Sequence, residues 1–203
     1  MSDLQPLIAR RPLAEVSAPT RTGATLSAPG VSVIVRGDVE TVTVTARSRR
    51  RLNCMTTLSN WLGVPVVDAS KRARNRNGAV ISVGPGRWLV SVHGDGATGE
   101  IERLRLQLAS LASVTEQGDG QVVLHMSGPR VRDALCKGVA IDLDPRVFTP
   151  GDTAGTMIAH LAVQISCLEA DTYEIIGAAS TADNLWHWLE RSAAEFGLDV
   201  VQG

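Results

Sequence analysis

QVVLHMSGPRVRDALCKG, residues 121–138, passes from a strand to a helix and sets the plan of the whole chain. Gln121–Met126 is rich in β-branched residues and reads as a strand. Pro129 then opens a helix that runs to Cys136 and stops at Gly138, with proline in its first turn and glycine just past its end. Towards the C-terminus, residues 156–167 and 172–177 read as a hairpin about Glu169-Ala170-Asp171. Residues 180–196 follow as a helix with Leu185, Leu189, Ser192 and Phe196 on one face, and Leu198–Val201 is a closing strand.

The same order precedes this stretch. Val31, Val33 and Val35 alternate with Ser32 and Ile34, and Val42 and Val44 alternate with Thr41, Thr43 and Thr45. Two strands are expected there, joined as a hairpin through Gly37-Asp38. Residues 47–62 switch to helical spacing, with Leu52, Met55, Leu58 and Leu62 on one face and Arg47, Arg50 and Arg51 off it. Gly63 and Pro65 end that helix. A basic loop (Lys71, Arg72, Arg74, Arg76) leads to Ala79–Val83, a Gly84-Pro85-Gly86 turn and the strand Trp88–His93. Residues 98–112 form a helix on Ile101, Leu104, Leu108 and Leu111, and Ser113–Glu116 is a short strand.

Each half, approximately 31–117 and 118–203, therefore reads β-α-β-β-α-β. That order is the split βαβ, or ferredoxin-like, motif, and two copies give a duplicated α+β domain over 31–203. Residues 1–30, with Pro6, Pro12, Pro19 and Pro29 and no sustained periodicity, are expected to be an extended arm ordered against a neighbour.

Apolar residues make up 44% of the 203 and charged residues 20%, a globular composition rather than a disordered one. No apolar run reaches the ~18 residues of a membrane span, and the first thirty residues hold no apolar signal core. Cys54, Cys136 and Cys167 are odd in number, far apart and without metal-ligand spacing. They are expected to be structural thiols in a reducing cytoplasm. The net charge of −1 conceals +8 over residues 1–90 and −9 over residues 91–203, an asymmetry that suggests a charged partner.

No catalytic constellation stands out. His93, His125, His160 and His187 have no base or ligand at useful spacing. Gly84-Pro85-Gly86 lacks the Lys-Ser/Thr of a phosphate loop, and Gly118-Asp119-Gly120 is no dinucleotide fingerprint. The basic segments Arg47, Arg50, Arg51 and Arg72, Arg74, Arg76 do not interleave aromatic residues, which total 3%. That argues for a protein partner rather than nucleic acid. In Asn184–Trp188 (NLWHW), helical spacing puts Leu185, Trp188 and Leu189 on the core face and turns Trp186 and His187 away, as a second contact surface.

Several stretches resemble the gamma subunit of heterotetrameric sarcosine oxidase. They are Ser127-Gly128-Pro129-Arg130, Ile141-Asp142-Leu143-Asp144-Pro145-Arg146-Val147-Phe148, Pro150-Gly151, Leu185-Trp186-His187-Trp188-Leu189 and Ala193-Ala194-Glu195-Phe196-Gly197, supported by Gly84–Leu89. The resemblance covers most of residues 80–197. It implies a fold related to the folate-binding domain of glycine-cleavage aminomethyltransferases. It also implies a cytoplasmic complex with alpha, beta and delta subunits, oxidising sarcosine to glycine with hydrogen peroxide and 5,10-methylenetetrahydrofolate as products. FAD, FMN, NAD, tetrahydrofolate and zinc are then expected in the other subunits, with no cofactor, metal or catalytic residue in this chain. Its partner surface is expected at Arg47, Arg50, Arg51, Arg72, Arg74, Arg76, Trp186 and His187. The competing reading is a free-standing folate-dependent aminomethyl-transfer or folate-binding protein, for which Asp142 or Asp144 would be the acidic residue.

Overall fold

The computed structural model describes residues 12–13, 20–23 and 28–201. Alternation along the strands produces two sheets that share one seam. In Val31–Arg36 (β2 after the short Thr20–Thr22, β1), Val31 and Val33 point to helices and Ser32, Ile34 and Arg36 to the other side. Val39–Ala46 (β3), Arg72–Arg74 (β4), Gly78–Gly84 (β5), Arg87–His93 (β6) and Ala112–Glu116 (β7) form a five-stranded antiparallel sheet in the order β4-β5-β6-β3-β7. The helices Arg51–Leu62 (α1) and Ala97–Leu108 (α2) cover its outer face, packing on Val42, Val44, Val80, Trp88 and Val90. Read as β7-β3-β6-β5, the four principal strands have the ferredoxin-like order.

The second sheet takes Gln121–Ser127 (β8), Thr153–Ile158 (β9), Leu161–Glu169 (β10), Thr172–Ala178 (β11) and Leu198–Val201 (β12), in the order β1-β12-β2-β8-β11-β10-β9. Val131–Leu135 (α3) and Ala182–Ala193 (α4) cover its outer face. The same ferredoxin-like order recurs as β12-β8-β11-β10, with β2 inserted between β12 and β8, parallel to the first and antiparallel to the second. The duplicated α+β plan holds, but a strand from the first half completes the second sheet. The inner faces meet on a thin apolar layer of Ile81, Leu89, Val123 and Ile176, so the molecule is layered helix, sheet, sheet, helix.

Several local expectations are corrected. β2 and β3 are not a hairpin: Gly37-Asp38 carries the chain from one sheet to the other, and each strand finds its partners elsewhere. α1 begins at Arg51, because Arg50 N–H closes a turn on Arg47 C=O and Arg49 is left-handed (φ 61°). Its buried face is Cys54, Leu58 and Leu62, whereas Leu52 is 71% exposed. The basic loop contains β4. Residues 156–167 are not one strand, since Ala159 and His160, both at positive φ, turn β9 back into β10.

α3 is confined to Val131–Leu135. Gly138 serves packing instead of ending the helix: a Cβ there would lie 2.6 Å from Cζ2 of Trp188. The arm expected over residues 1–30 lies mostly outside the described residues. Of its described part, Leu13 is buried in the core and Thr20–Thr22 pairs with Leu198–Val200, so these residues are held by the chain itself.

Candidate functional site: an ionic seam and a basic end

Charged side chains on inward-facing strand positions must pair or remain uncompensated in a poorly solvated layer. Glu174 on β11 is nearly inaccessible (2%), as is Arg72 on β4 (4%). Arg72 Nε and Nη2 donate to Glu174 Oε1 and Oε2 at 3.2 and 3.1 Å, a two-point contact across the seam. His125 on β8 lies beside Glu174 in the register, with Nε2 3.0 Å from Oε2. Arg36 Nη1 lies 3.3 Å from His125 Nδ1. Since a guanidinium only donates, Nδ1 accepts and Nε2–H donates to Glu174, which fits a neutral imidazole. Arg36 also grips Asp38 through Nε and Nη2, both at 2.7 Å. A chain of groups thus runs from the interior to solvent at Asp38.

Burial alone would raise the Glu174 carboxyl. The His125 hydrogen bond and the Arg72 charge outweigh it and hold the group below the usual carboxylate range. Every polar atom of this carboxylate is engaged, so the cluster is structural by geometry rather than a poised acid or base. Two buried atoms on strand β6, Ser91 Oγ and His93 Nε2, have no hydrogen-bond partner among the described residues. Burial, followed by the Arg36 charge, lowers the His93 pKa and favours its neutral form.

The thiols are unactivated. Burial pushes Cys54 up to about 11 and raises Cys136 and Cys167 as well. Asp144 is ion-paired with Arg146, and Asp142 accepts the Asp144 N–H; both acids lie in the loop before β9. Gly86 N–H, in the Gly84-Pro85-Gly86 turn, donates to the Asp68 carboxylate. Among the described residues no three His, Cys, Asp or Glu side chains group as a metal site, and no helix is long and apolar enough to cross a membrane.

The residues expected at a partner surface separate into four sets. Arg72 is internal, because Glu174 needs a cation; it is withdrawn from that surface. Trp186 is withdrawn too, being 5% exposed within the core, while Trp188 packs half-buried on the same core and against Gly138, so both rings face inward. Arg74 faces Glu169 at 3.8 Å, and Arg76 lies exposed in the β4–β5 turn. His187 is exposed on α4. Arg47, Arg50 and Arg51 are exposed together where α1 begins, Arg51 paired with Asp68. Sequence reading missed Glu174, Arg36, Asp38 and Arg87. One signal was available: Glu174 interrupts the otherwise apolar run Tyr173–Ile176.

The family model described as sarcosine oxidase, gamma subunit family matches residues 57–195. No curated protein sequence matches. Among solved structures, heterotetrameric sarcosine oxidase from Corynebacterium sp. U-96, in complex with pyrrole 2-carboxylate, contains a chain similar at a TM-score of 0.78 and 21% identity. That match covers 93% of this chain and 96% of the other. Glycine cleavage system aminomethyltransferase T from Bartonella henselae is similar at a TM-score of 0.60 and 13% identity. It covers 80% of this chain but 46% of the aminomethyltransferase. At these identities the structural likenesses speak to the fold.

Proposed function

The chain belongs to the sarcosine oxidase gamma subunit family, and from that membership we propose that it is the noncatalytic, structural gamma subunit of a heterotetrameric sarcosine oxidase. The complex would oxidise the N-methyl group of sarcosine, giving glycine, hydrogen peroxide and, with tetrahydrofolate, 5,10-methylenetetrahydrofolate. FAD, FMN and NAD would reside in the alpha and beta subunits and zinc in the delta subunit, with the assembly in the cytoplasm. The observation that carries the reading is the family match over residues 57–195, together with a likeness to a subunit-sized chain from end to end. The chemistry on the page agrees with it. Glu174 is fully engaged by Arg72 and His125, and Cys54 and Cys167 are buried, so these groups are committed to the fold.

The decisive experiment co-expresses the full chain with its candidate alpha, beta and delta subunits and weighs the product by native mass spectrometry. A particle with all four chains is expected, and the purified chain alone should form no peroxide from sarcosine. Peroxide formation by the isolated chain would overturn the noncatalytic role. Absence of the chain from any such particle would overturn the subunit role, and tetrahydrofolate binding by the free chain would favour an aminomethyl-transfer protein instead.

A further inference from the structure

The excess positive charge of the N-terminal half gathers at one end of the five-stranded sheet. Ala46 N–H donates to Gly86 C=O at 2.9 Å and Thr45 pairs with Arg87, which sets the 47–50 turn beside the β5–β6 turn. A Cβ on Gly86 would stand 3.9 Å from Cγ of Arg51. Arg47, Arg49, Arg50, Arg51 and Arg87 are therefore neighbours, and all are exposed. Asp68 neutralises Arg51; Arg47 reaches only the Ala109 C=O, and among the described residues Arg49, Arg50 and Arg87 meet no carboxylate. Three basic residues on or beside β4 behave differently: Lys71, Arg72 and Arg74 are each paired with an acid on the side of the second sheet, and Arg76, in the β4–β5 turn, stands alone among the described residues.

The same end opens on a cleft of about 280 Å³ lined by residues 68–70, 82–85 and 153–155. One wall is β9, the edge strand of the seven-stranded sheet. Its outer side is bonded at Thr153, whose N–H donates to Ser70 C=O at 3.2 Å, and at Met157, whose C=O accepts from Ala140 N–H at 3.0 Å. Backbone groups two residues apart face the same edge, so Gly155 between them points its own N–H and C=O outward. It is exposed, and a side chain there would touch only Gln164 Oε1, at 3.5 Å. Val83 on the opposite wall is 37% exposed. An unpaired strand edge and an apolar wall suit a polypeptide, whereas a single-stranded nucleic acid calls for stacking rings.

We propose that this end of the molecule docks an acidic, extended segment of a partner subunit, its backbone against the Gly155 edge and its carboxylates on Arg49, Arg50 and Arg87. The inference rests on the subunit reading above and names the surface that reading requires. Its charge requirement is specific: three adjacent guanidiniums without internal counter-ions favour a segment with several carboxylates, with attraction that weakens as salt rises.

The test compares the full chain with R49E/R50E/R87E and with a control, R74E/R76E, that alters the basic residues at the other end of β5. Each is co-expressed with the other subunits, and each purified chain is titrated with a labelled deca-glutamate peptide and with an oligo-uridine. Far-UV circular dichroism and the melting temperature establish that the variants fold. R49E/R50E/R87E should weaken peptide binding at least tenfold at low salt and deplete the chain from the complex at least tenfold, while R74E/R76E changes either by less than threefold. Equal losses in both variants, or none in either, would overturn the docking site, as would loss of oligo-uridine binding with peptide binding unchanged. A wild-type chain that enters no complex but still binds the peptide through these arginines would sink the subunit reading and leave the acidic-segment site standing.

Discussion

Arg72 and Glu174 meet in a two-point ion pair across the seam between the five-stranded and the seven-stranded sheet, beside the single β-bridge that Lys71 makes with Asp152. Their side chains are 4% and 2% exposed, so each is the other's substitute for water. The pair helps fix the sheets in register where the apolar layer between them is thin, Ile81, Leu89, Val123 and Ile176 with Val39 packed against them.

Glu174→Gln should therefore destabilise the fold by about 3–5 kcal/mol, because it leaves the Arg72 charge buried without its counter-ion. The joint change Arg72→Met with Glu174→Leu should recover most of that loss, since both charges leave together. Urea unfolding of the two variants checks this; a double variant no better than the single one would contradict it.

Stability should fall with acid in two stages. His93 is lowered by burial and by Arg36, so the unfolded chain takes up its proton first and stability declines as pH drops below ~6.5. The Glu174 pKa is depressed, so its stabilisation is complete above the unfolded value of ~4.3 and is lost as pH falls through the lower folded value. Urea midpoints measured from pH 8 to pH 3 should show both limbs. His93→Asn should flatten the first and Glu174→Gln the second.

Gly138→Ala should cost about 1–3 kcal/mol, because the added methyl meets the Trp188 indole at 2.6 Å. Thermal unfolding reports it, and the penalty should shrink in a Trp188→Leu background, where the ring is gone. An undiminished penalty there would place the cause in the backbone.

His160→Gly should stabilise by about 0.5–1 kcal/mol. The residue is exposed with φ 72° in the β9–β10 turn, a conformation that glycine adopts without a Cβ penalty. A lower melting temperature in this variant would show that the imidazole makes a contact worth more than the relieved strain.

What was legible in the sequence was local. α2 could be read from Ile101, Leu104 and Leu108 because no other large apolar residue competes for their face except Leu106, which falls opposite at 69% exposed. The face of α1 was legible from Met55, Leu58 and Leu62, but Leu52 was placed on it where Cys54 belongs, because leucine outweighs cysteine on any hydrophobicity count, yet the small thiol fits beneath the helix. Gly37-Asp38 announces a reversal, but turn chemistry is silent on whether the next strand stays in the same sheet. Ala159-His160 carries no turn residue at all. Trp186 joins Trp188 on the core side, and the room for the Trp188 ring is made by a missing side chain at Gly138. The ionic seam was out of reach: Arg72 and Glu174 are 102 positions apart, and each looks like a surface charge until the second sheet is laid over the first.

The insertion of β2 between β8 and β12 has a consequence for synthesis. All strands of the five-stranded sheet lie between Val39 and Glu116, so that sheet can close while the rest of the chain is still being translated. Val31–Arg36 leaves the ribosome before any of them, yet its neighbours come from β8 and from Leu198–Val201, far later in the chain. A nascent chain halted before residue 198 would hold β2 with one bare edge, an invitation to strands of other chains. The native sheet is thus sewn shut only when Leu198–Val201 emerges, and chaperone protection of Val31–Arg36 matters most in the interval before that stitch is made.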